Sequence, residues 1–298
     1  MDGVDALRAL ICKLVPNVNR ARVPAEMNVV FDGGAFNGYY GLGVGLYLQE
    51  LERQRVTRVV KVSGVSIGAI LALWYLLDSP KTDMNALFVK MAKHFERRRN
   101  LRVYRKLVAR FIYESISSDD LSFMEDRLYI SYYDTRACMR KTASRYKSRA
   151  HLVEVVVRSG HIPFVISDSI AYRGRYIDGV RPEVFSGLTR SLFVHVATVE
   201  KWGRMFSVGT EANIMHRLTG GAADADSFFT TGFSRMCGYT DDWNLIDRAA
   251  FAMREVVMCF LYRGLGLVTN VEDDQFDLVR GLRTAARGFV WALVSSEH

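Results

Sequence analysis

Two β-type runs, each ending in a glycine turn that opens a helix, constrain this chain more than anything else in it. Asn28 to Phe31 is a compact β-type run, and Asp32-Gly33-Gly34 breaks it. A helical stretch follows from about Gly38 to Arg53. Arg58 to Val62 is again β-branched, Ser63-Gly64 ends it, and Ile67 to Leu77 reads as a buried helix. Strand, helix, strand, helix in this order is the mark of a parallel βαβ unit. Parallel sheets bind ligands beyond the carboxyl ends of their strands, and both glycine turns lie at such ends.

Gly64-Val65-Ser66-Ile67-Gly68 fits G-x-S-x-G. A nucleophilic serine must project from a cramped strand-to-helix turn, and flanking glycines remove side chains that would clash there. The helix N-terminus brings positive dipole to Ser66 and to any developing anion. Asp32-Gly33-Gly34-Ala35-Phe36-Asn37-Gly38 has the same strand-to-helix setting. Consecutive glycines let backbone N–H groups turn inward as a donor pocket, which an acyl-transfer enzyme needs for its oxyanion. A dinucleotide fingerprint is not met, because Gly33 and Gly34 are adjacent and Gly41-Leu42-Gly43 falls inside the helix. Tyr176-Ile177-Asp178-Gly179 ends a short apolar strand with an aspartate that would orient or deprotonate a serine. Taken alone, it is also an ordinary surface turn.

Together these features resemble the patatin-like phospholipase family. Gly33-Gly34-Ala35-Phe36-Asn37-Gly38 looks like its oxyanion loop, Gly64 to Gly68 like its nucleophile elbow, and Asp178-Gly179-Val180 like a variant of its D-G-[GA] motif. Ser159-Gly160-His161-Ile162-Pro163-Phe164 resembles the small-residue and Ile-Pro stretch upstream of the family's aspartate. The resemblance implies an α/β fold, a three-layer αβα sandwich with a mainly parallel central sheet. The catalytic domain would span residues 26–200, with a mostly helical C-terminal extension over 201–298 packed on it. It implies a serine lipid acyl hydrolase of phospholipase A type, with Ser66 as nucleophile and Asp178 as base. Backbone N–H groups of Gly34 and Ala35, with Gly33, would hold the oxyanion, and Gly38 would close the loop. The substrate would be a phospholipid or other acyl lipid, and neither metal nor cofactor is required. By the same analogy residues 150–159 are helix, although Val153-Glu154-Val155-Val156-Val157 by itself suits a strand equally well.

Three positions depart from the family pattern. Ala35 stands where a third glycine is common, Asn37 where Arg or Lys is common, and Val180 where Gly or Ala is usual. Valine resists positive φ, so Val180 is expected to be extended. These departures motivate an alternative: a catalytically weak or inactive lipid- or protein-binding module on the same fold.

The 298 residues carry a net charge of +8, and most of it is local: between Lys81 and Ala150 there are 17 Lys+Arg and 8 Asp+Glu. This basic region, about residues 90–149, suits peripheral contact with an anionic membrane or a plain solvated helix face. No nucleic-acid recognition motif accompanies it, so no specific nucleic-acid partner is expected. The scattered Cys12, Cys138, Cys237 and Cys259 argue against a zinc site or disulfide framework and suit a reducing compartment. Asp2 and Asp5 before Arg8 do not make a secretory signal. The longest apolar runs, Ala69 to Leu77 and the Arg263-containing Val256 to Val268, fall short of the roughly 20 residues a bilayer needs. An intracellular protein, cytoplasmic or membrane-peripheral, is expected.

Elsewhere, residues 2 to 14 and much of 83 to 130 read as helix, and Tyr129 to Thr135 and Ser191 to Thr198 as strands. Residues 243 to 264 read as an amphipathic helix, with Leu245, Ile246, Ala249, Ala250, Met253, Val256 and Val257 at helical spacing. A Ser-Asp-His triad would draw on His195 or His216, but His195 reads as a sheet residue. Asp168, Asp241 and Asp242 read as surface acids.

Overall fold

A computed structural model describes residues 3–77, 83–196 and 211–269. Helix α1 (Gly3–Leu14) precedes strand β1 (Glu26–Phe31), helix α2 (Gly38–Arg53), strand β2 (Arg58–Val65) and helix α3 (Ile67–Leu77). Helices α4 (Met84–Arg98), α5 (Tyr104–Ser115) and α6 (Ser118–Met124) lead to a hairpin of β3 (Leu128–Asp134) and β4 (Met139–Ala143). Helix α7 (Arg149–Ser159) and strands β5 (Tyr176–Asp178) and β6 (Ser191–Val194) follow. Helix α8 (Glu211–Thr231), strand β7 (Cys237–Tyr239) and helix α9 (Leu245–Thr269) end the described chain.

The sheet runs β4-β3-β2-β1-β6-β7, with β5 also on β3. Its centre, β3-β2-β1-β6, is parallel, and β4, β5 and β7 join antiparallel. Residues Met27 to Phe31 of β1 are all buried, as a central parallel strand covered on both faces requires. The expected βαβ order is therefore present, and residues 150–159 are helical. The last third of the described chain does more than extend the domain, because β7 adds a strand beside β6.

The glycines inside α2 serve packing. A Cβ on Gly43 would lie 2.0 Å from the Leu218 carbonyl oxygen, and one on Gly221 would lie 2.0 Å from that of Tyr40. The α2 and α8 backbones touch at these points, so any side chain there forces the helices apart.

One sheet face meets the main core, with Phe31, Val62, Ile130, Leu192 and Val194 among its residues. Helix α9 covers the other face. Phe193 packs edge-on against Trp243 (5.1 Å between ring centroids) and Phe251 (5.5 Å), and Cys259 packs against the small cluster of Tyr133, Ala171 and Ile177. The rotation of α9 reverses what its spacing predicts. Leu245, Ile246, Met253, Val256, Val257 and Phe260 are exposed, whereas Phe251, Arg254, Glu255 and Cys259 face the sheet. The covered face carries charge, which explains the reversal. Glu255 pairs with Arg181 (3.2 Å) and accepts from the Arg140 backbone (3.3 Å), and Arg254 meets Asp32.

The basic middle forms α4 to α6, and several of its charges pair locally: Arg102 with Asp168, Arg105 with Glu154, Arg110 with Glu114. Asp241 and Asp242 likewise pair with Arg190 at the surface. Among the described residues no helix is long and apolar enough to cross a membrane.

Candidate active site

Strand register brings Ser66 and Asp178 together. Val65, the last residue of β2, pairs with Ser131 of β3, and Asp178 pairs with the next residue, Tyr132. The opposite edge of β3 is taken by β4, so β5 occupies the same edge as β2, immediately beyond its end. The Ser66 turn and Asp178 thus meet although 112 positions separate them in the sequence.

Ser66 has φ +56°, a left-handed conformation that non-glycine residues seldom adopt outside functional turns. The flanking glycines make the turn possible. A Cβ on Gly64 would lie 2.1 Å from the Gly68 carbonyl oxygen, and one on Gly68 would lie 2.3 Å from that of Phe31. Ser159 locks the turn from behind: its buried hydroxyl accepts from the Ser66 backbone N–H (2.9 Å) and donates to the Ser131 carbonyl (2.6 Å). In the sequence Ser159 is only one residue of the small-residue stretch before Asp178. Its anchoring role depends on α7 ending against β3, which no local pattern reports.

Asp178 accepts a hydrogen bond from the Val180 backbone N–H (2.9 Å), and the Ser66 side chain lies near enough to lower its proton affinity. Burial is the largest influence on its carboxyl and pushes it up to about 6; the Ser66 side chain and the Val180 N–H pull the other way, and the charge of Asp32 adds to the rise. No histidine is among these influences. His195 stacks on Phe193 (4.2 Å between centroids), with Trp243 beyond (6.2 Å). The buried His161 contributes its carbonyl, which accepts from the Asp178 backbone (3.0 Å), while burial pushes its imidazole down to about 4.

Gly33 lies directly against Ser66: a Cβ there would be 3.3 Å from that of the serine. Its backbone N–H, however, already donates to the Asp32 carboxylate (2.9 Å). Asp32 is itself held by Arg254 of α9, whose Nη1 lies 2.9 Å from both carboxylate oxygens. Burial pushes the Asp32 carboxyl up against the pull of Arg254 and the Gly33 N–H. Ala35 has φ +45° and opens a 3-10 turn over Ala35–Asn37 that leads into Gly38. The buried Arg217 of α8 donates to the Phe36 carbonyl in that turn (3.2 Å). Two arginines from the last third of the chain therefore grip the loop.

Val180 is not extended. Its φ is +57°, and Arg181 N–H donates to the Gly179 carbonyl (2.5 Å) to close a three-residue turn around it. The expectation failed because tertiary contacts leave the turn no room to straighten. A Cβ on Gly179 would lie 2.5 Å from the Ser131 carbonyl oxygen, and the Val180 N–H is committed to Asp178. A β-branched residue held so carries about 1–3 kcal/mol of strain. Val180→Gly is expected to raise unfolding free energy by about 1 kcal/mol in denaturant titrations, with the glycine's own entropy offsetting part of the relief. A drop in stability would show that the valine side chain contributes more than the turn costs.

Beside Ser66 lies a narrow cleft of about 30 Å³, walled by Phe36, Ile67, Met91, Leu101, Ile162 and Ile166. Tyr104 lines the same cleft.

A family model described as Patatin-like phospholipase matches residues 29–188. The match takes in the glycine loop, the Ser66 elbow and the Asp178 turn, and covers 160 of the 298 residues. No curated protein matches the chain. With this sheet, this elbow and that match, the chain belongs to the patatin-like phospholipase family, whose members are in general hydrolases of lipid esters.

Proposed function

We propose that the protein hydrolyses acyl esters of lipids, phospholipids foremost, through a Ser66–Asp178 dyad. One observation carries the reading: a left-handed Ser66 at the end of β2 beside Asp178, a carboxylate whose proton affinity burial raises toward neutrality. Ser66 Oγ attacks the ester carbonyl while Asp178 takes its proton. The N–H groups of Gly34 and Ala35, together with the N-terminus of α3, stabilise the oxyanion. Gly33 serves by positioning the loop through Asp32, since its own N–H is engaged. Collapse of the tetrahedral adduct releases the alcohol, which takes the proton back from Asp178. Water, deprotonated by Asp178, then cleaves the acyl-enzyme. The apolar cleft receives the acyl chain once its walls separate, and the basic helices α4 and α5 beside it suit an anionic lipid surface.

Asp178 acts as base only when ionised, and its affinity is raised to about 6. We therefore expect kcat/KM for a short-chain chromogenic ester to rise with pH along an acid limb centred near 6. A limb near 4 would mean that the base is an ordinary exposed carboxylate.

The decisive experiment is reaction with a fluorophosphonate probe, with hydrolysis of phospholipid vesicles measured alongside. Labelling confined to Ser66 supports the dyad. The narrow cleft and the strained Val180 favour one second reading, a silent lipid- or protein-binding module, which requires no labelling together with retained vesicle binding. Full activity in His195→Ala is expected, and its loss would return the histidine triad.

A further inference from the structure

Tyr104 opens α5 and is only 4% exposed, yet its hydroxyl has no hydrogen-bond partner among the described residues. The oxygen fits there because residue 160 is glycine: a Cβ on Gly160 would lie 2.3 Å from it. An unpaired buried hydroxyl costs about 1–3 kcal/mol, and phenylalanine would fill the same space among Met91, Leu101 and Ile162 without that cost. An unused donor thus sits buried in the wall of the cleft that Ser66 also lines.

From this arrangement we propose that the Tyr104 hydroxyl donates a hydrogen bond to the leaving-group oxygen of the ester during acylation, and to the hydrolytic water during deacylation. The proposal rests on the Ser66–Asp178 reading. Its placement follows from the chain around it. Gly160 touches Tyr104, and the adjoining His161 carbonyl holds the Asp178 backbone. Tyr104 therefore approaches Ser66 from the Asp178 side, whereas the oxyanion loop arrives from β1. Asp178 must return its proton to the departing alkoxide, so the leaving oxygen lies on that side too. The incoming water occupies the same position, because deacylation is the reverse of acylation with water in place of alcohol. The C–O bond breaks, the alkoxide takes the proton from Asp178, and Tyr104 keeps its own proton throughout. Burial and the nearby Asp178 charge raise the proton affinity of the phenol, so it stays a neutral donor.

The test is Tyr104→Phe assayed on two esters of one short acyl group, a p-nitrophenyl ester and a glyceryl ester, with thermal unfolding measured in parallel. Nitrophenolate leaves unaided, so its first-turnover burst is expected to be unchanged while its steady state slows. Glyceryl ester hydrolysis is expected to fall about 10- to 100-fold, the effect of one hydrogen bond to a charged group. The melting temperature is expected to hold or rise, since an unsatisfied group has been removed. Slowing of the nitrophenyl burst equal to that of glyceryl ester hydrolysis, no slowing of the glyceryl ester, or a lowered melting temperature would each overturn the proposal. Fluorophosphonate labelling separates the two readings. Wild type that fails to label defeats the dyad, whereas wild type that labels, with Tyr104→Phe hydrolysing normally, defeats Tyr104 alone.

Discussion

Ser66→Ala is expected to lower kcat/KM on both a chromogenic ester and phospholipid vesicles by about 10³-fold or more, and to abolish fluorophosphonate labelling. Alanine removes the attacking oxygen and changes little else, because the backbone of the turn is held by the Ser159 hydroxyl and by close glycine contacts. Asp178→Asn is expected to lower activity on the same scale, since an amide accepts the Val180 N–H but takes no proton. The two variants part company in stability. The carboxyl of Asp178 goes from an unfolded value of 3.8 to about 6 in the fold. A raised value means the native state holds the proton more tightly, so its stabilising effect is complete below pH 4 and is lost as pH rises through 6. At pH 7 to 8 the ionised carboxylate therefore weighs against folding by on the order of 2–3 kcal/mol. Asp178→Asn should relieve that burden and unfold later in denaturant than wild type at pH 8, with the difference shrinking toward pH 4. Ser66→Ala retaining activity within tenfold of wild type would remove the nucleophile from this account.

Arg254→Met is expected to destabilise the protein by about 3–5 kcal/mol near pH 7, the cost of leaving one partner of a buried pair uncompensated. Asp32 is 1% exposed at its side chain, and the Arg254 guanidinium contacts both of its oxygens. Without Arg254 the Asp32 carboxylate keeps the Gly33 N–H as its partner among the described residues. Its affinity for a proton must then rise further. The loss should accordingly be small near pH 4 and grow toward pH 8, the sign expected for a raised carboxyl. Adding Asp32→Asn removes the orphaned charge and should recover most of the stability. Denaturant titrations at three pH values measure all of this. A pH-independent loss, or a double variant no more stable than the single one, would assign the effect to packing of α9 instead.

The local elements were legible because their causes are local. Strands β1 and β2 are β-branched runs stopped by glycine, α3 is apolar throughout, and Ser66 sits where a strand must become a helix. Helix α7 was ambiguous, since Val153 to Val157 satisfies both periods, and only the family resemblance leaned toward helix. Strands β4 and β7 and helix α8 carry no distinctive pattern: Met139–Ala143 and Cys237–Tyr239 become strands because an edge of β3 and of β6 is open to them. The apolar stripe of α9 was visible, but its direction was not. Periodicity defines a face without saying what it meets, and here the sheet offered charges to the opposite side.

What the sequence determined by itself is the residue type at each end of the proposed dyad: a serine in a glycine elbow and an aspartate before a glycine. What tertiary structure alone decided is their meeting, through adjacent rungs of β3, and the company they keep. Ser159, Tyr104, Arg217 and Arg254 reach the site from four helices, two of them outside the matched region 29–188. The left-handed Val180 belongs with them. Strain, burial and orphaned hydrogen bonds arise from contacts between distant segments, and no residue's own neighbours in the chain encode them.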